Sequence, residues 1–335
     1  MAVTIKDVAR SVGVSPSTVS RAFSRPEKVD PGTRGLILAT AGELGYHPNR
    51  AAQSLSAGKT GYVAAFIPDL TNPFFAATLK GIYTASAESD LRVTLTDFGD
   101  SAAVERTAIA DLTPQVDGFV LCSSRLDDDE IRLLADRRPV LLVNRQLDGI
   151  PYVHIDNAQG VRQAFRHLQA LGHTKIGYAG GPALSRSQRE RREAFAAMAA
   201  ESAASSQGGT GTQGVVLGEF ASTFDGGSEA ADEALHSEVT AVIAYNDVMA
   251  IGMIHRLLGY GVRVPDRLSV VGCDDIPISG MVTPSLTTVR LPQGEMGALA
   301  AQLLGDIISG KPIEPVEMHT SLVVRASTGP KRVHS

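Results

Sequence analysis

Polar and aromatic side chains follow four apolar runs of this chain, and their types suit the binding of a polar ring. The runs cover residues 62–67, 140–143, 242–245 and 268–272, and the side chains that follow them include Phe74, Asn144, Asn246 and Asp274. If the runs are parallel strands, their carboxyl ends meet at one edge of a sheet, where open sheets bind ligands. Aromatic faces stack on a ring, while amides and carboxylates hydrogen-bond its hydroxyls. These residues therefore predict a site for a small polar molecule such as a sugar.

Signatures of catalysis are missing from the same sequence. It contains no Gly-x-Ser-x-Gly elbow, no Walker loop and no His-x-x-x-His pair, which are motifs of nucleophilic, phosphate-binding and metal chemistry. Cys122 and Cys273 lie far apart in apolar stretches, which fits buried reduced thiols better than a disulfide or a metal site. We predict no catalytic residue, no metal and no cofactor, so an enzyme of the doubly wound class is the weakest interpretation.

The strand-like runs alternate with helical patterns through most of the chain. Four further short apolar runs cover residues 93–95, 119–122, 176–179 and 215–217, and amphipathic stretches cover residues 74–89, 158–171, 189–203 and 248–258. This alternation predicts an α/β fold in which helices cover both faces of parallel sheets. Eight strands could form one sheet, but a length of 335 residues favours two lobes of about four strands each.

The first sixty residues differ in charge from the rest. They contain eight basic and four acidic side chains, a net charge of +4, whereas the remainder contains 23 basic and 32 acidic side chains, a net charge of −9. A small basic module joined to a large acidic one is expected when only the first part contacts a polyanion. Chance explains the charge alone about equally well, so the local pattern must decide.

Two short helices joined by a tight turn are predicted at the N-terminus. Thr4 begins a capping-box pattern before a helix over about residues 5–12, and Gly13 suits the left-handed residue that ends it. Ser15 caps a second helix over about residues 15–24. Such a helix-turn-helix places its second helix in the major groove of DNA. The exposed early positions of that helix are Pro16, Ser17, Ser20 and Arg21.

A third helix is predicted after Asp30-Pro31 and continues through Leu44. Its apolar side closes a three-helix core against the first two helices. Gly35 and Gly42 lie inside it, where each costs about 1 kcal/mol relative to alanine. We therefore expect a three-helix unit of modest stability.

Neither a secretion signal nor a membrane span is evident in the sequence. The opening residues lack an apolar signal core, and no uncharged apolar run is long enough to cross a bilayer. We predict a cytoplasmic protein with no membrane partner.

Five short motifs occur in order within the first 52 residues. They are Thr4-Ile5-Lys6-Asp7-Val8-Ala9, Gly13-Val14-Ser15, Thr18-Val19-Ser20-Arg21, Leu44-Gly45-Tyr46 and Pro48-Asn49-Arg50-Ala51-Ala52. In order and spacing they resemble the N-terminus of the LacI/GalR family of bacterial transcription regulators. The resemblance implies DNA contacts by Thr4, Ser15, Pro16, Ser17, Ser20, Arg21, Asn49, Arg50, Ala52 and Leu55. Because proline donates no hydrogen bond, base reading rests more on Arg21, Ser17 and Ser20.

The resemblance also assigns a role to the segment after the third helix. It implies that residues 49–57 become a hinge helix on DNA, with Leu55 of each subunit wedged into the central minor-groove step. Such a wedge kinks the duplex and opens the groove. The alternative is that Leu55 is a linker leucine that packs on the next domain.

The resemblance continues from about residue 60 to residue 328. It rests on Asn72-Pro73-Phe74-Phe75, Asp117-Gly118, Asp156-Asn157 with Gly160, Leu171-Gly172-His173, Gly180-Gly181-Pro182, Asn246-Asp247, Val270-Val271-Gly272 with Asp274-Asp275, and Leu286-Thr287-Thr288-Val289. The family's regulatory domain is built like periplasmic sugar-binding proteins. The effector-binding residues that this implies are Phe74, Phe75, Asn144, Arg191, Asn246 and Asp274. Arg191 would supply donors and Asp274 acceptors for vicinal hydroxyls.

Each of these assignments has an alternative. Either Phe74 or Phe75 could be the ring that enters the site, and Arg191 could be an exposed helical arginine, since Arg186, Arg189 and Arg192 are neighbours. Asn246 is expected to face the ligand while Asp247 caps the next helix, and Asp274-Asp275 could form a turn or a cap. Asn144 replaces an aspartate common in relatives, so a different hydroxyl pattern or an anionic substituent would be tolerated.

The domain boundaries follow from the two resemblances. We predict a helix-turn-helix headpiece over 1–47, a hinge helix and linker over 48–60, and an effector-binding and dimerisation domain over 61–335. The N-terminal lobe takes about 61–159 and 291–320, and the C-terminal lobe about 160–290 and 321–328. Residues 201–214, rich in Ser, Gly and Thr, are expected to form a mobile surface loop. The C-terminus lacks a leucine heptad, so tetramerisation through a coiled coil is not expected.

The expected protein is a homodimeric transcription regulator that acts as a repressor. Its two-fold symmetry requires a pseudopalindromic double-stranded DNA operator, and a small-molecule effector, expected to be a sugar, would bind between the lobes and change operator affinity. The alternative is a solute-binding protein of a sugar transporter, which would require a signal sequence and no basic headpiece.

Overall fold

A computed structural model describes residues 3–46, 59–205 and 211–331 of the chain. The predicted hinge contacts of Asn49, Arg50, Ala52 and Leu55 lie outside the described residues. The chain divides into an N-terminal helical unit and a larger α/β unit. No helix among the described residues has both the length and the apolar character needed to cross a bilayer.

The N-terminal unit contains the three expected helices, α1 (Ile5–Val12), α2 (Pro16–Ser24) and α3 (Pro31–Glu43). Thr4 and Asp7 form the capping box of α1, and Gly13 ends that helix with φ 76°. Ser15 caps α2 by accepting a hydrogen bond from the backbone N–H of Thr18 at 3.1 Å. The buried core of the unit consists of Val8, Ala9, Val19, Ala22, Ile37 and Ala41. The capping and spacing rules therefore predicted this unit correctly.

The larger unit contains two six-stranded sheets, each with helices on its faces. The first lobe has strand order β11-β5-β4-β3-β1-β2, where β1 is Tyr62–Ile67, β2 Arg92–Asp97, β3 Gly118–Cys122, β4 Val140–Val143, β5 Tyr152–Ile155 and β11 Val316–Met318. Its helices are α4 (Pro73–Glu88), α5 (Ala102–Leu112), α6 (Asp128–Ala135) and α11 (Gln293–Ile308).

The second lobe repeats this architecture with strand order β12-β10-β9-β8-β6-β7. Its strands are β6 (Lys175–Gly180), β7 (Gln213–Glu219), β8 (Ala241–Ala244), β9 (Ser269–Asp274), β10 (Thr287–Arg290) and β12 (Ser321–Val323). Its helices are α7 (Asn157–Ala170), α8 (Arg186–Ser205), α9 (Phe224–His236) and α10 (Asp247–Gly259). All described pairings are parallel except that of β10 with β12.

The expected count of about four strands per lobe is wrong, since each sheet has six. Strands β11 and β12 are three residues long and partly exposed, so they lack a continuous apolar run. The sequence of β5 includes His154, and β10 begins with two threonines and ends with Arg290. Length and polarity therefore hid four strands from the hydrophobic pattern.

The expected surface loop over 201–214 is also wrong at both of its ends. Helix α8 continues to Ser205, and β7 begins at Gln213. Thr212 is buried and accepts a hydrogen bond from Gln169. The small residues Ser202, Ala203 and Ala204 extend the helix, and residues 206–210 lie outside the described residues.

Helices α4 and α11 of the first lobe touch through glycines. A Cβ on Gly297 would lie 2.0 Å from the carbonyl oxygen of Thr78, and one on Gly81 would lie 2.1 Å from that of Gly294. These distances are too short for any side chain, so the two backbones are in direct contact. In contrast, a Cβ on Gly305 of α11 would meet its nearest neighbour at an ordinary 3.8 Å.

We expect Gly297→Ala to destabilise the protein by about 1–3 kcal/mol, because the helices must separate to admit the methyl group. The matched change Gly305→Ala on the same helix should be neutral or stabilising by up to about 1 kcal/mol, because alanine favours the helix. Thermal denaturation of both variants tests this. A melting temperature for Gly297→Ala equal to or above that of Gly305→Ala would contradict the close contact.

Candidate functional site

A cleft of about 340 Å³ lies between the two lobes. All six residues predicted to bind an effector line it, namely Phe74, Phe75, Asn144, Arg191, Asn246 and Asp274. Three of them end or directly follow the strands β4, β8 and β9, so the rule for the carboxyl edges of parallel sheets locates the same cavity.

Two phenylalanine rings form an apolar wall on the first lobe. Asn72 caps α4 by accepting the backbone N–H of Phe74 at 3.0 Å, which fixes both phenylalanines in the first turn of the helix. The rings of Phe74 and Phe75 pack edge to face with centroids 5.0 Å apart. Phe74 is buried and Phe75 half-buried, so both are placed to contact a ligand.

Asn144 follows β4 with φ 56°, a left-handed conformation that asparagine tolerates better than most residues. Its Oδ1 accepts a hydrogen bond from Nδ2 of Asn157 at 3.1 Å. Asn157 begins α7, the first helix of the second lobe. The side chain of Asn144 therefore joins the two lobes as well as lining the cleft.

Arg191 on α8 is 4% exposed, and protein groups hold its guanidinium in place. Nε donates to Oδ1 of Asn157 at 3.0 Å, and Nη1 donates to the backbone oxygen of Tyr245. The guanidinium carbon lies 5.0 Å from the centroid of the Tyr245 ring. Among the four nearby arginines Arg191 alone lines the cleft, since Arg186 and Arg189 line a separate groove and Arg192 pairs with Glu219.

Asp274 ends β9 and is 4% exposed. Burial raises the pKa of Asp274 well above its ordinary range, and the positive charge of Arg191 opposes that effect only in part. Its neighbour Asp275 accepts hydrogen bonds from Arg290 at 2.7 Å and from Arg325 at 2.5 Å. The two adjacent carboxyls thus differ: Asp274 lines the cleft, and Asp275 ties the strands of the second lobe together.

The expectation that Asp247 caps α10 is wrong. Asn246 is the cap, since its Oδ1 accepts the backbone N–H of Met249 at 2.8 Å, while its Nδ2 donates to the backbone oxygen of Ser222 at 3.2 Å. Asp247 is buried inside the lobe and accepts from the backbone N–H of Ile276 and the hydroxyls of Ser279 and Thr288. Asn246 still lines the cleft, so one amide performs both tasks.

The cleft is also lined by four charged residues of the first lobe that are not among the predicted effector-binding residues, namely Asp69, Asp97, Asp100 and Arg125. Arg125 has a 5% exposed side chain, and its Nη2 lies 2.7 Å from Oδ1 of Asp100. Asp100 follows β2, and Arg125 follows β3. The rule for the carboxyl edges of the sheet would have found both residues had it been applied to these two strands.

The second helix of the N-terminal unit presents a polar surface. Ser15, Pro16, Ser17 and Arg21 are exposed and Ser20 is half-buried. Nη2 of Arg21 donates to the hydroxyl of Ser17 at 3.4 Å, a weak contact that leaves the guanidinium available. Thr4 is the N-cap of α1 and not a residue of α2, and its hydroxyl donates to Asp7 at 2.7 Å within the capping box.

The raised pKa of Asp274 predicts a pH dependence of stability. The folded state keeps this carboxyl protonated at pH values where the unfolded state ionises it, so its contribution to stability is lost as the pH rises from about 4 through the folded pKa. The loss is about 1.4 kcal/mol for each pH unit of that interval.

Asp274→Asn should remove this loss. We expect the urea midpoint of the variant to rise relative to that of the wild type as the pH increases through this interval. A constant difference between the two midpoints across the acidic to neutral range would contradict the direction of the shift.

Comparison with known proteins places these features in one family. Residues 4–49 match "Bacterial regulatory proteins, lacI family", and residues 165–328 match "Periplasmic binding protein-like domain". The chain is 32% identical over 336 residues to the HTH-type transcriptional repressor CytR of Escherichia coli, covering 98% of this chain and 96% of CytR.

Two solved structures support the same assignment. The lac repressor dimer bound to operator and the anti-inducer ONPF is similar with a TM-score of 0.85 and 26% identity, over 98% of this chain and 100% of that one. The complex of the transcriptional regulator CelR with cellobiose is similar with a TM-score of 0.68 and 33% identity, over 97% and 99% of the two chains. The chain therefore belongs to the lacI family of bacterial regulatory proteins and is a DNA-binding transcription regulator.

Proposed function

We propose that this regulator is a homodimeric repressor whose operator affinity is switched by a sugar bound in the cleft between its lobes. The observation that carries the proposal is that the six predicted effector-binding residues line one cleft and come from both lobes. A ligand that touches both walls stabilises one angle between the lobes over others, and such differential affinity is what a switch requires.

Complementary groups on the two walls suit a sugar. The rings of Phe74 and Phe75 offer an apolar face, and Asn144 and Asn246 offer amides. Nε and Nη1 of Arg191 are used by the protein, and no acceptor within residues 59–205 and 211–331 takes a hydrogen bond from its Nη2. This amino group and the carboxyl of Asp274 are suited to a pair of vicinal hydroxyls. The relative CelR binds cellobiose, which supports the class of ligand.

In this proposed regulator, residues 1–47 form the DNA-binding headpiece, residues 48–60 the hinge and residues 61–335 the effector domain. Arg21, Ser17 and Ser20 read bases in each half-site, while the hinge helices meet at the operator centre and Leu55 wedges there. The lac repressor, a structural relative over the whole chain, binds its operator as a dimer. The protein acts in the cytoplasm, where its operator lies, and it binds its effector without converting it. No histidine, cysteine or lysine is found among the described residues that line the cleft.

Arg191→Gln should abolish the thermal stabilisation that a binding sugar gives the full chain, because it removes the buried donors of the cleft. The matched variant Arg192→Gln changes an exposed arginine one residue further along α8 and should keep that stabilisation. Differential scanning fluorimetry with a panel of sugars measures both. Equal shifts in the two variants would place the sugar elsewhere.

Specific binding to an operator fragment should weaken steeply as salt is raised, because lysine and arginine displace counterions from the phosphates. Leu55→Ala should lose most operator affinity and keep the sugar affinity of the wild type. Mobility-shift assays at two salt concentrations test this. If the protein retards no genomic fragment, the proposed repressor function is wrong. If Leu55→Ala binds the operator as tightly as the wild type does, the proposed wedge of Leu55 is wrong.

A further inference from the structure

A second cavity, here called the arginine groove, lies along the seam between the lobes. It measures about 660 Å³, and Arg125 lines both this groove and the cleft. The first lobe contributes Arg125, Arg132 and Arg145, and the second lobe contributes Arg186 and Arg189. A ligand held between these arginines would therefore contact both lobes.

The negative charge of the carboxylates that line the groove does not neutralise the positive charge of its arginines. Nη2 of Arg145 and Nη2 of Arg186 both donate to the same oxygen, Oδ1 of Asp128, each at 2.6 Å. One carboxylate thus serves two guanidiniums from opposite lobes. Asp127 is used as the cap of α6, where it accepts the backbone N–H of Glu130 at 2.8 Å, and Asp129 pairs with Arg132 at 3.4 Å.

Two arginines of the groove retain unused donors. Arg145 is 2% exposed, and its Nε is buried without a hydrogen-bond partner among the described residues. Burial lowers the pKa of Arg145, and the charge of Arg186 adds to that effect while Asp128 opposes it. Arg189 is exposed on the opposite wall, and no carboxylate within residues 59–205 and 211–331 pairs with it. The groove therefore carries positive charge that the described residues leave unneutralised.

The neighbouring cleft has the opposite balance. Four aspartates line it, Asp69, Asp97, Asp100 and Asp274, against the two arginines Arg125 and Arg191. Arginines outnumber aspartates in the lining of the groove but not in that of the cleft, so an anion is favoured in the groove and two chemically different ligands can bind side by side. The shared side chain of Arg125 separates the two cavities.

We propose that the arginine groove is a second ligand site, which binds a small phosphorylated metabolite through its phosphate group. Arg186 and Arg189 hold the phosphate from the second lobe, and Arg132 holds it from the first lobe, while the buried Arg145 adds positive charge behind the groove. Guanidinium forks match the oxygen geometry of a phosphate. Because both lobes contribute, the phosphate favours the lobe angle at which the two walls face each other.

The test is calorimetric titration of the full chain with inorganic phosphate and with glycerol 3-phosphate, with ionic strength held constant by replacing chloride. Glycerol is the uncharged control ligand. We expect both phosphates to bind the wild type and glycerol not to bind. Arg189→Gln should weaken both phosphates at least tenfold, whereas Arg192→Gln, an equal change of net charge on the same helix but outside the groove, should bind them as the wild type does.

Three results would overturn the proposal. They are no phosphate binding to the wild type, equal weakening in Arg189→Gln and Arg192→Gln, and loss of phosphate binding in Arg191→Gln with retention in Arg189→Gln. The last result would assign the phosphate to the cleft. Sugar binding is read separately from the thermal shift of Arg191→Gln, so failure of this site and failure of the proposed repressor are distinguishable.

Discussion

The amide of Asn157 joins the two lobes at the point where the chain passes from one to the other. Its Nδ2 donates to Oδ1 of Asn144 at 3.1 Å and to Glu190 at 2.8 Å, while its Oδ1 accepts from Arg191 at 3.0 Å. Asn157 is 3% exposed, so these bonds form away from water, where a polar group left without a hydrogen bond destabilises the fold. The positions of Asn144 and Arg191 in the cleft are therefore linked through one shared side chain.

This constraint links recognition to lobe geometry. A ligand that hydrogen-bonds Asn144 and Arg191 acts on two residues already coupled through Asn157, so its contacts are sensitive to small changes of lobe angle. The ion pair of Asp128 with Arg186 bridges the same two lobes from the side of the arginine groove. Ligands bound in the cleft and in the groove, as proposed, would bias the same equilibrium from two chemically distinct positions, and coupling between them would be reciprocal.

Much of this arrangement could be predicted from the sequence because it depends on local patterns. The caps at Thr4 and Ser15 determine the first two helices, and the rule for the carboxyl edges of parallel sheets brought Asn144, Asn246 and Asp274 together. The same rule covers the ends of β2 and β3, where Asp100 and Arg125 follow the strands, so the sequence also contains the signal for these two residues.

Other features depend on contacts between distant parts of the chain. The burial of Asp247 inside the lobe, instead of at the helix cap, depends on Ser279 and Thr288, which approach it only in the folded lobe. Asp128 and Arg186 are 58 residues apart, so no local pattern could pair them. Strands β11 and β12 are too short and too polar to be recognised by apolar runs.

In the proposed regulator, occupancy of the cleft and binding of the operator are energetically coupled. The most direct measurement is the affinity of the full chain for its best-binding sugar, with and without saturating operator DNA. We expect the operator to change the sugar affinity by a clear factor, and the sugar to change the operator affinity by the same factor. An identical sugar affinity in the free and operator-bound protein would contradict it.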